Sequence, residues 1–458
     1  MNSPGSATLS PTAMIRTPTD RRRVVFATVV GTTVEWYDFF IYGTAAALVF
    51  GELFFAPAGP GMATILSFAT VGISFLFRPL GAFLAGHFGD RYGRRVVLMV
   101  TLILMGVATA LIGLIPGYAS IGVLAPVLLI GLRVLQGISA GGEWGGAALM
   151  AVEHASRGKR GAYGAAPQVG VPLGLLLASG VMALMTIIAP GDAFLEWGWR
   201  IPFLLSVVLI LVGWYVRRRV QESPVFAEIA RRKEQTRMPI LSLLRKRAGV
   251  VVAAALVFAG SNASGYMTTG YIQNYATDPE GALQLERGAV LWAVAGSSVM
   301  WLVTTWASGT LSDRIGRKST LIIGWISLMI GVVALFPLAD LGSIWTLLIG
   351  LLILSVGIGF AYGPISSYFA ELFPASVRFS GVSIAYALGA ILGGAFSAMI
   401  AAALVQATGT SWSIVAYLFA MATIGLAATV ILRDRTGTPL GPDHEAQQSA
   451  SPFIWRRG

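Results

Sequence analysis

Two carboxylates three residues apart, Glu35 and Asp38, and one arginine, Arg133, stand inside unbroken apolar runs. A carboxylate can take up and release a proton, and a guanidinium fork can hold a carboxylate through two parallel hydrogen bonds. Arg78 and Glu143 are embedded in the same way, and all five lie in the first half of the chain. A charge placed so deep in apolar surroundings is costly, so each is a functional candidate by default. Glu35 and Asp38 share a helix face about 60° wide. Arg133, Gln136, Ala140 and Glu143 fall within an arc of about 80°, beside a smooth strip of Gly137, Gly141 and Gly145 suited to close helix packing.

The elements that carry these residues are membrane spans. The 458 residues are 55% hydrophobic and 12% charged, with a mean hydropathy of +0.74, against about a quarter charged in soluble domains. Continuous apolar runs point to helices, since a barrel needs alternation. Six runs lie near residues 24–54, 62–89, 96–115, 121–150, 163–189 and 199–217, and six more near 249–277, 287–312, 320–338, 344–370, 380–405 and 411–432. The fold class is therefore an all-α polytopic membrane protein of twelve transmembrane helices in two six-helix halves. Residues 1–20 read as a disordered cytoplasmic tail, 21–217 and 248–433 as the two bundles, 218–247 as a cytoplasmic linker with a surface helix over Glu222–Glu234, and 434–458 as a second tail. Basic clusters occupy alternate loops, which places both termini in the cytoplasm. Asp38 lies about fifteen residues into its span and Arg133 about twelve into the fourth from the other side, so both reach mid-membrane and can meet.

The net charge of +11 is gathered in these loops and does not indicate nucleic acid. There is no cysteine, and three scattered histidines exclude a conventional metal site. No nucleotide loop or nucleophile–base set is present, so neither an enzyme nor a cofactor is expected.

A ten-residue turn occurs twice. Gly86-His-Phe-Gly-Asp90-Arg91-Tyr-Gly-Arg94-Arg95 returns as Gly309-Thr-Leu-Ser-Asp313-Arg314-Ile-Gly-Arg317-Lys318, an offset of 223 residues. Glu153 precedes Arg160 by seven residues, as Glu371 precedes Arg378, at an offset of 218. The chain is one unit duplicated, and parallel halves place a binding site between them near the midplane.

These paired turns resemble the hallmark of the major facilitator superfamily. Glu35-Trp-Tyr-Asp38-Phe-Phe40, Phe77-Arg-Pro-Leu-Gly81, Arg133-Val-Leu-Gln-Gly137, Gly141-Gly-Glu-Trp-Gly-Gly146, Trp197-Gly-Trp-Arg-Ile-Pro-Phe203 and Glu222-Ser-Pro-Val-Phe226 resemble its metabolite:proton symporter branch, with the first half most similar to shikimate transporters. The resemblance implies proton-coupled uptake of a small polar metabolite, an organic acid such as shikimate or a dicarboxylate or keto acid. Uptake of betaine or proline-type osmolytes is an alternative, as is proton antiport exporting a drug or metabolite. Proton coupling is expected at Asp38, Glu35 and Arg133, by analogy with sugar porters that pair an acid on the first span with an arginine on the fourth. Substrate contacts are expected from Arg133, Gln136, Asn262, Tyr266 and Tyr362. A cytoplasmic gate is implied at Asp90, Arg91, Arg94, Glu153, Arg160, Asp313, Arg314, Arg317, Glu371 and Arg378. Arg78 and Glu143 are expected to form a structural or gating pair. The partners implied are protons, the small-molecule substrate and a cell-membrane bilayer with anionic lipids at its cytoplasmic face, and a monomer suffices.

Overall fold

A computed structural model describes residues 18–92, 94–141, 143–156, 158–217, 239–279 and 281–454, with side chains left out at 18–24, 85–98, 143–144, 216–217, 239–244, 246 and 268–269. The expected linker helix and the first tail lie outside or almost outside these residues. Among the described residues eleven helices are long and apolar enough to cross a bilayer, and a shorter apolar helix makes the twelfth. In chain order they are α1 (Val25–Ala58), α2 (Pro60–Leu84), α3 (Met99–Ile112), α4 (Leu124–Glu153), α5 (Arg160–Ile188), α6 (Phe194–Tyr215), α7 (Arg247–Tyr266), α8 (Arg287–Ile315), α9 (Arg317–Ala339), α10 (Ile344–Leu372), α11 (Ala375–Thr408) and α12 (Trp412–Ile431). Helices are what such sequences must form, because hydrocarbon offers no partner to a backbone N–H or C=O.

The duplication seen in the sequence is a duplication of packing. In the first half α1 packs on α5 and α6, α4 on α2 and α3, and α3 on α6. In the second half α7 packs on α11 and α12, α10 on α8 and α9, and α9 on α12. Adding six to each label of the first set gives the second. The two halves meet where α5 lies along α8 and α2 along α11, a pair of contacts that the same operation exchanges.

Small residues make these crossings close. A Cβ on Gly137 would stand 2.1 Å from the Ser74 carbonyl oxygen, and one on Gly141 2.1 Å from that of Arg78. The strip therefore packs against α2. Gly145 instead meets Ser383 of α11, across the interface between halves.

Two π-turns stand at corresponding depths, Ala46–Phe50 in α1 and Met267–Tyr271 just beyond α7. A π-turn interrupts the regular i→i−4 ladder and leaves carbonyls open to other donors. Ser67 Oγ donates to the Ala46 carbonyl at 2.7 Å, and Asn274 Nδ2, from the other half, to that of Ala47 at 3.2 Å. Close by, Phe396 of α11 covers Gly72 of α2, where a Cβ would be 2.2 Å from the ring. The Asn274 and Phe396 contacts join the two halves, away from the charged turns. Within the second half, Tyr275 and Ser411 donate to Asp340 at 2.5 and 2.9 Å.

The packing argument predicts that Gly141→Ala lowers the unfolding midpoint of the purified protein, by a loss of about 1–3 kcal/mol from overpacking. Gly131→Ala is the control, because a Cβ there meets nothing within 4 Å. Equal midpoints for the two variants would show that close approach at Gly141 does not matter.

Candidate functional site

Asp38 and Arg133 are both buried, at 2% and 1% exposure, and they do not touch. They are joined through two neutral side chains. Thr109 Oγ1 of α3 lies 3.1 Å from Asp38 Oδ2, Gln136 Nε2 donates to Thr109 Oγ1 at 2.8 Å, and Arg133 Nη1 donates to Gln136 Oε1 at 2.8 Å. The expected direct ion pair is thus a relay. Thr109 has one hydroxyl proton and two acceptors in reach, Asp38 Oδ2 and the Met105 carbonyl at 2.9 Å. Asp38 Oδ1 accepts no hydrogen bond.

Every nitrogen of Arg133 has an acceptor. Its Nε and Nη2 donate to the carbonyls of Thr70 and Val71 at 3.3 and 3.0 Å, and its guanidinium lies 3.7 Å from the Tyr42 ring centroid. The Tyr42 hydroxyl is itself held by Thr70 Oγ1 at 2.6 Å. Each nitrogen thus has an acceptor and one face of the cation lies on a ring, as burial of a guanidinium requires.

Between the halves is a small cavity walled by Trp36 and Phe40 of α1, Asn262 and Tyr266 of α7, Trp301 of α8 and Tyr362 of α10, together with Val171, Ser261, Gly265 and Ile358. The volume open to a water centre is about 10 Å³, room for about one water. Small-molecule sites occupy about 300–1,000 Å³, so this conformation is closed around its centre. The wall carries no charged group. The indole Nε1 atoms of Trp36 and Trp301 and the Asn262 amide nitrogen have no hydrogen-bond acceptor.

At the end that carries the charged turns, ion pairs cross between the halves. Asp313 of α8 accepts from the first backbone N–H groups of α5, Gly161 at 2.8 Å and Ala162 at 2.9 Å, donors that a helix N-terminus leaves unpaired. Arg317 bonds Asp313 at 2.8 Å and Glu371 at 3.2 Å, Arg160 reaches Glu371 at 3.3 Å, and Arg378 reaches Glu153 at 3.5 Å. The chain beyond α12 folds back over this network. Arg160 donates to the Thr438 carbonyl at 2.6 Å and Arg378 to that of Leu440 at 2.9 Å. Gln448 Oε1 accepts from Arg378 Nη2 at 3.2 Å and from the Ala375 N–H at 2.7 Å.

The structure therefore sorts the residues singled out in the sequence. Asn262, Tyr266 and Tyr362 share the cavity wall. Arg133 and Gln136 do not line it; they sit behind Phe39 and Tyr42, within the first half. Glu35 is buried on α1 one turn from Asp38. Arg160, Asp313, Arg317 and Glu371 form one ion network and Arg378 pairs with Glu153 beside it, whereas Arg314 is exposed and outside both. The side chains of Asp90, Arg91, Arg94 and Glu143 lie outside the described residues. The expected partnership of Arg78 with Glu143 therefore also falls outside the described residues. Thr109, Trp36, Trp301 and Gln448 were not singled out. Thr109 is one of two threonines, with Thr101, in the apolar run of α3, a weak but readable signal, while Gln448 has none.

Twelve helices in two like-packed halves, with buried charges near the centre and a closed cavity between them, are the architecture of a membrane transporter. The chain belongs to the Major Facilitator Superfamily, whose profile matches residues 28–391 and again 281–457. It is 40% identical over 418 residues to the inner membrane metabolite transport protein YhjE of Escherichia coli K12, covering 90% of this chain and 94% of that one. To the shikimate transporter of the same organism it is 37% identical over 420 residues, with coverage of 90% and 94%. The glycine betaine/proline/ectoine/pipecolic acid transporter OusA of Dickeya dadantii is 33% identical over 429 residues, covering 92% and 84%. Among solved structures, the proton:xylose symporter XylE bound to 6-bromo-6-deoxy-D-glucose superposes with a TM-score of 0.73 at 18% identity, covering 94% of this chain and 99% of that one; this likeness is one of fold. The protein is a multi-pass transporter of the cell membrane, and its relatives are transporters and not enzymes.

The inter-half network predicts that Glu371→Gln loosens the end with the charged turns. The natural chain has no cysteine, so a single Ser367→Cys, buried where α10 meets α5, reports opening by its rate of maleimide labelling. Loss of a buried charge partner should raise that rate about tenfold or more; an unchanged rate would mean that the network does not hold the closed form.

Proposed function

We propose that this protein is a proton-coupled symporter that takes up a small organic acid, with shikimate as the type substrate, by alternating access. The observation that carries the reading is the chain of contacts from Asp38 through Thr109 and Gln136 to Arg133. With Asp38 ionised, its charge and that of Arg133 balance, and Thr109 gives its hydrogen to Asp38 Oδ2. A proton arriving at Asp38, where Oδ1 has no donor, leaves the positive charge uncompensated. In a low-dielectric interior that imbalance favours an anion bound between the halves. Proton and anion then enter together, and the loaded site is close to neutral when the halves rock. No cofactor beyond the proton gradient is called for.

The end with the charged turns is read as the cytoplasmic one, by the distribution of Lys and Arg. The network of Glu153, Arg160, Asp313, Arg317, Glu371 and Arg378 is then the inner gate, and the exposed Arg314 faces anionic lipid headgroups. The path is complete within one chain, so a monomer suffices.

A second reading follows from the cavity wall. Trp36, Phe40, Tyr266, Trp301 and Tyr362 form an uncharged aromatic lining of a kind that suits a quaternary ammonium, and the relationship to a betaine transporter supports it. Counting the imported species separates the readings: competition by shikimate but not glycine betaine supports the first, the converse the second.

For proton coupling, Asp38→Asn should abolish accumulation driven by an imposed pH gradient in right-side-out vesicles, while substrate exchange at equal pH persists. Accumulation at the wild-type level would remove Asp38 from the coupling mechanism. Flux opposite to the proton gradient in the wild-type protein would instead make it an antiporter.

A further inference from the structure

Among the described residues, the buried arginines differ in how they are satisfied. Arg133 donates from Nε, Nη1 and Nη2. Arg160, Arg317 and Arg378 are ion-paired and take further acceptors. Arg78 of α2 is 3% exposed, and neither its Nε nor its Nη2 has a hydrogen-bond acceptor. Its guanidinium is held between two rings, 4.5 Å from the Phe39 centroid and 4.3 Å from that of Phe75. Stacking stabilises the faces of the cation but does nothing for its N–H edge. A buried guanidinium with an empty edge is a strongly unfavourable state unless something supplies acceptors.

We propose that Arg78 is the ligand for the carboxylate of the transported molecule. The two open donors, Nε and Nη2, lie on one edge of the guanidinium, and that edge accepts both oxygens of a carboxylate side by side. The rings of Phe39 and Phe75 fix the plane of the fork in advance, so little rotamer freedom is lost on binding. Its position also fits. Arg78 faces the other half, near enough to Tyr266 of α7 and Tyr386 of α11 to interact electrostatically with both. Phe75 meets Tyr266 edge-on at 5.3 Å, and Tyr266 is a wall of the central cavity. In this closed conformation Arg78 stands one aromatic layer behind that wall, at the seam along which α2 and α7 separate when the halves part.

The assignment divides the work of the two central arginines. Arg133 belongs to the proton relay, and each of its nitrogens already donates to an acceptor within the first half. Arg78 takes the carboxylate, and the uncharged aromatic cavity takes the rest of the molecule. The proposal rests on the reading of the chain as a carrier of carboxylate-bearing metabolites. It does not depend on which one, because shikimate and glycine betaine both carry a single carboxylate.

The test uses the full chain in lipid nanodiscs, with binding followed by titration calorimetry and with shikimate, methyl shikimate and glycine betaine as probes. Loss of a charge-assisted pair in a buried site should weaken shikimate binding to Arg78→Gln about 30-fold. The wild-type protein should prefer the acid to its ester by a similar factor, and that preference should vanish in Arg78→Gln and be reduced in Arg78→Lys. A wild-type preference for acid over ester in Arg78→Gln overturns the proposal. Should Arg78→Gln elute as aggregate, Arg78→Lys decides, with an undiminished preference counting against it. If the wild-type protein binds glycine betaine and not shikimate, the organic-acid reading fails, and Arg78 is judged by whether Arg78→Gln loses betaine affinity to the same degree.

Discussion

A guanidinium in the middle of a membrane protein must find its acceptors within the protein, and Arg133 shows how far that requirement reaches. Two of its three nitrogens donate to backbone carbonyls of α2, at Thr70 and Val71. Those carbonyls come within range only because α2 and α4 nearly touch, and they touch because Gly137 and Gly141 present no side chain at the crossing. The third nitrogen takes Gln136, which takes Thr109, which holds Asp38. Satisfying one charge thus sets the spacing of α2 and α4, draws in α3, and fixes the acid of α1 at a defined remove. The glycines of α4 and the charges of α4 answer the same demand from opposite sides.

The backbone and the chemistry of this chain obey different symmetries. Every packing pair within the first half has its counterpart in the second, so the scaffold is fully duplicated. The embedded charges are not: Glu35, Asp38, Arg78 and Arg133 are all in the first half, and the second supplies Asn262, Tyr266, Trp301 and Tyr362 to the cavity wall. A symmetric frame lets two equal bodies rock about a common axis. An asymmetric lining means that one body can hold charge while the other moves across a neutral, aromatic surface. The end with the charged turns is different again. There the duplicated acid–arginine motifs of both halves interlock, with Glu371 held by Arg160 from the first half and Arg317 from the second.

Much of this was legible in the amino-acid sequence, for a physical reason. Hydrocarbon tolerates so few structures that apolar runs of the right length become helices almost without alternative, and the doubled turns then give the two halves. Depth along a helix was also readable, and it placed Asp38 and Arg133 at a common level. Depth alone does not give contact. Whether two residues at one level meet depends on what stands between them, and here Thr109 comes from a third helix with no charged or glycine motif to mark it. The same limit applied to Arg78. Its distance from the first charged turn suggested a gate residue, whereas the stacking rings of Phe39 and Phe75 could be recognised only once α1 and α2 were side by side. The segment beyond α12 was the least readable part. Polar composition describes a tail, and says nothing of Gln448 reaching back to Arg378 and Ala375.

The π-turns carry a record of another kind. A π-turn accommodates an extra residue in what is otherwise an α-helix. One lies at Ala46–Phe50 and its counterpart at Met267–Tyr271, in equivalent places of α1 and the segment continuing α7. Two more, at Phe194–Gly198 in α6 and Ala390–Ala395 in α11, have no partner in α12 and α5, which run as regular helix over Trp412–Ile431 and Arg160–Ile188. The simplest history dates the paired insertion before the ancestral gene was copied and the two unpaired ones after it. The helices of this protein thereby preserve the relative order of events in its own descent.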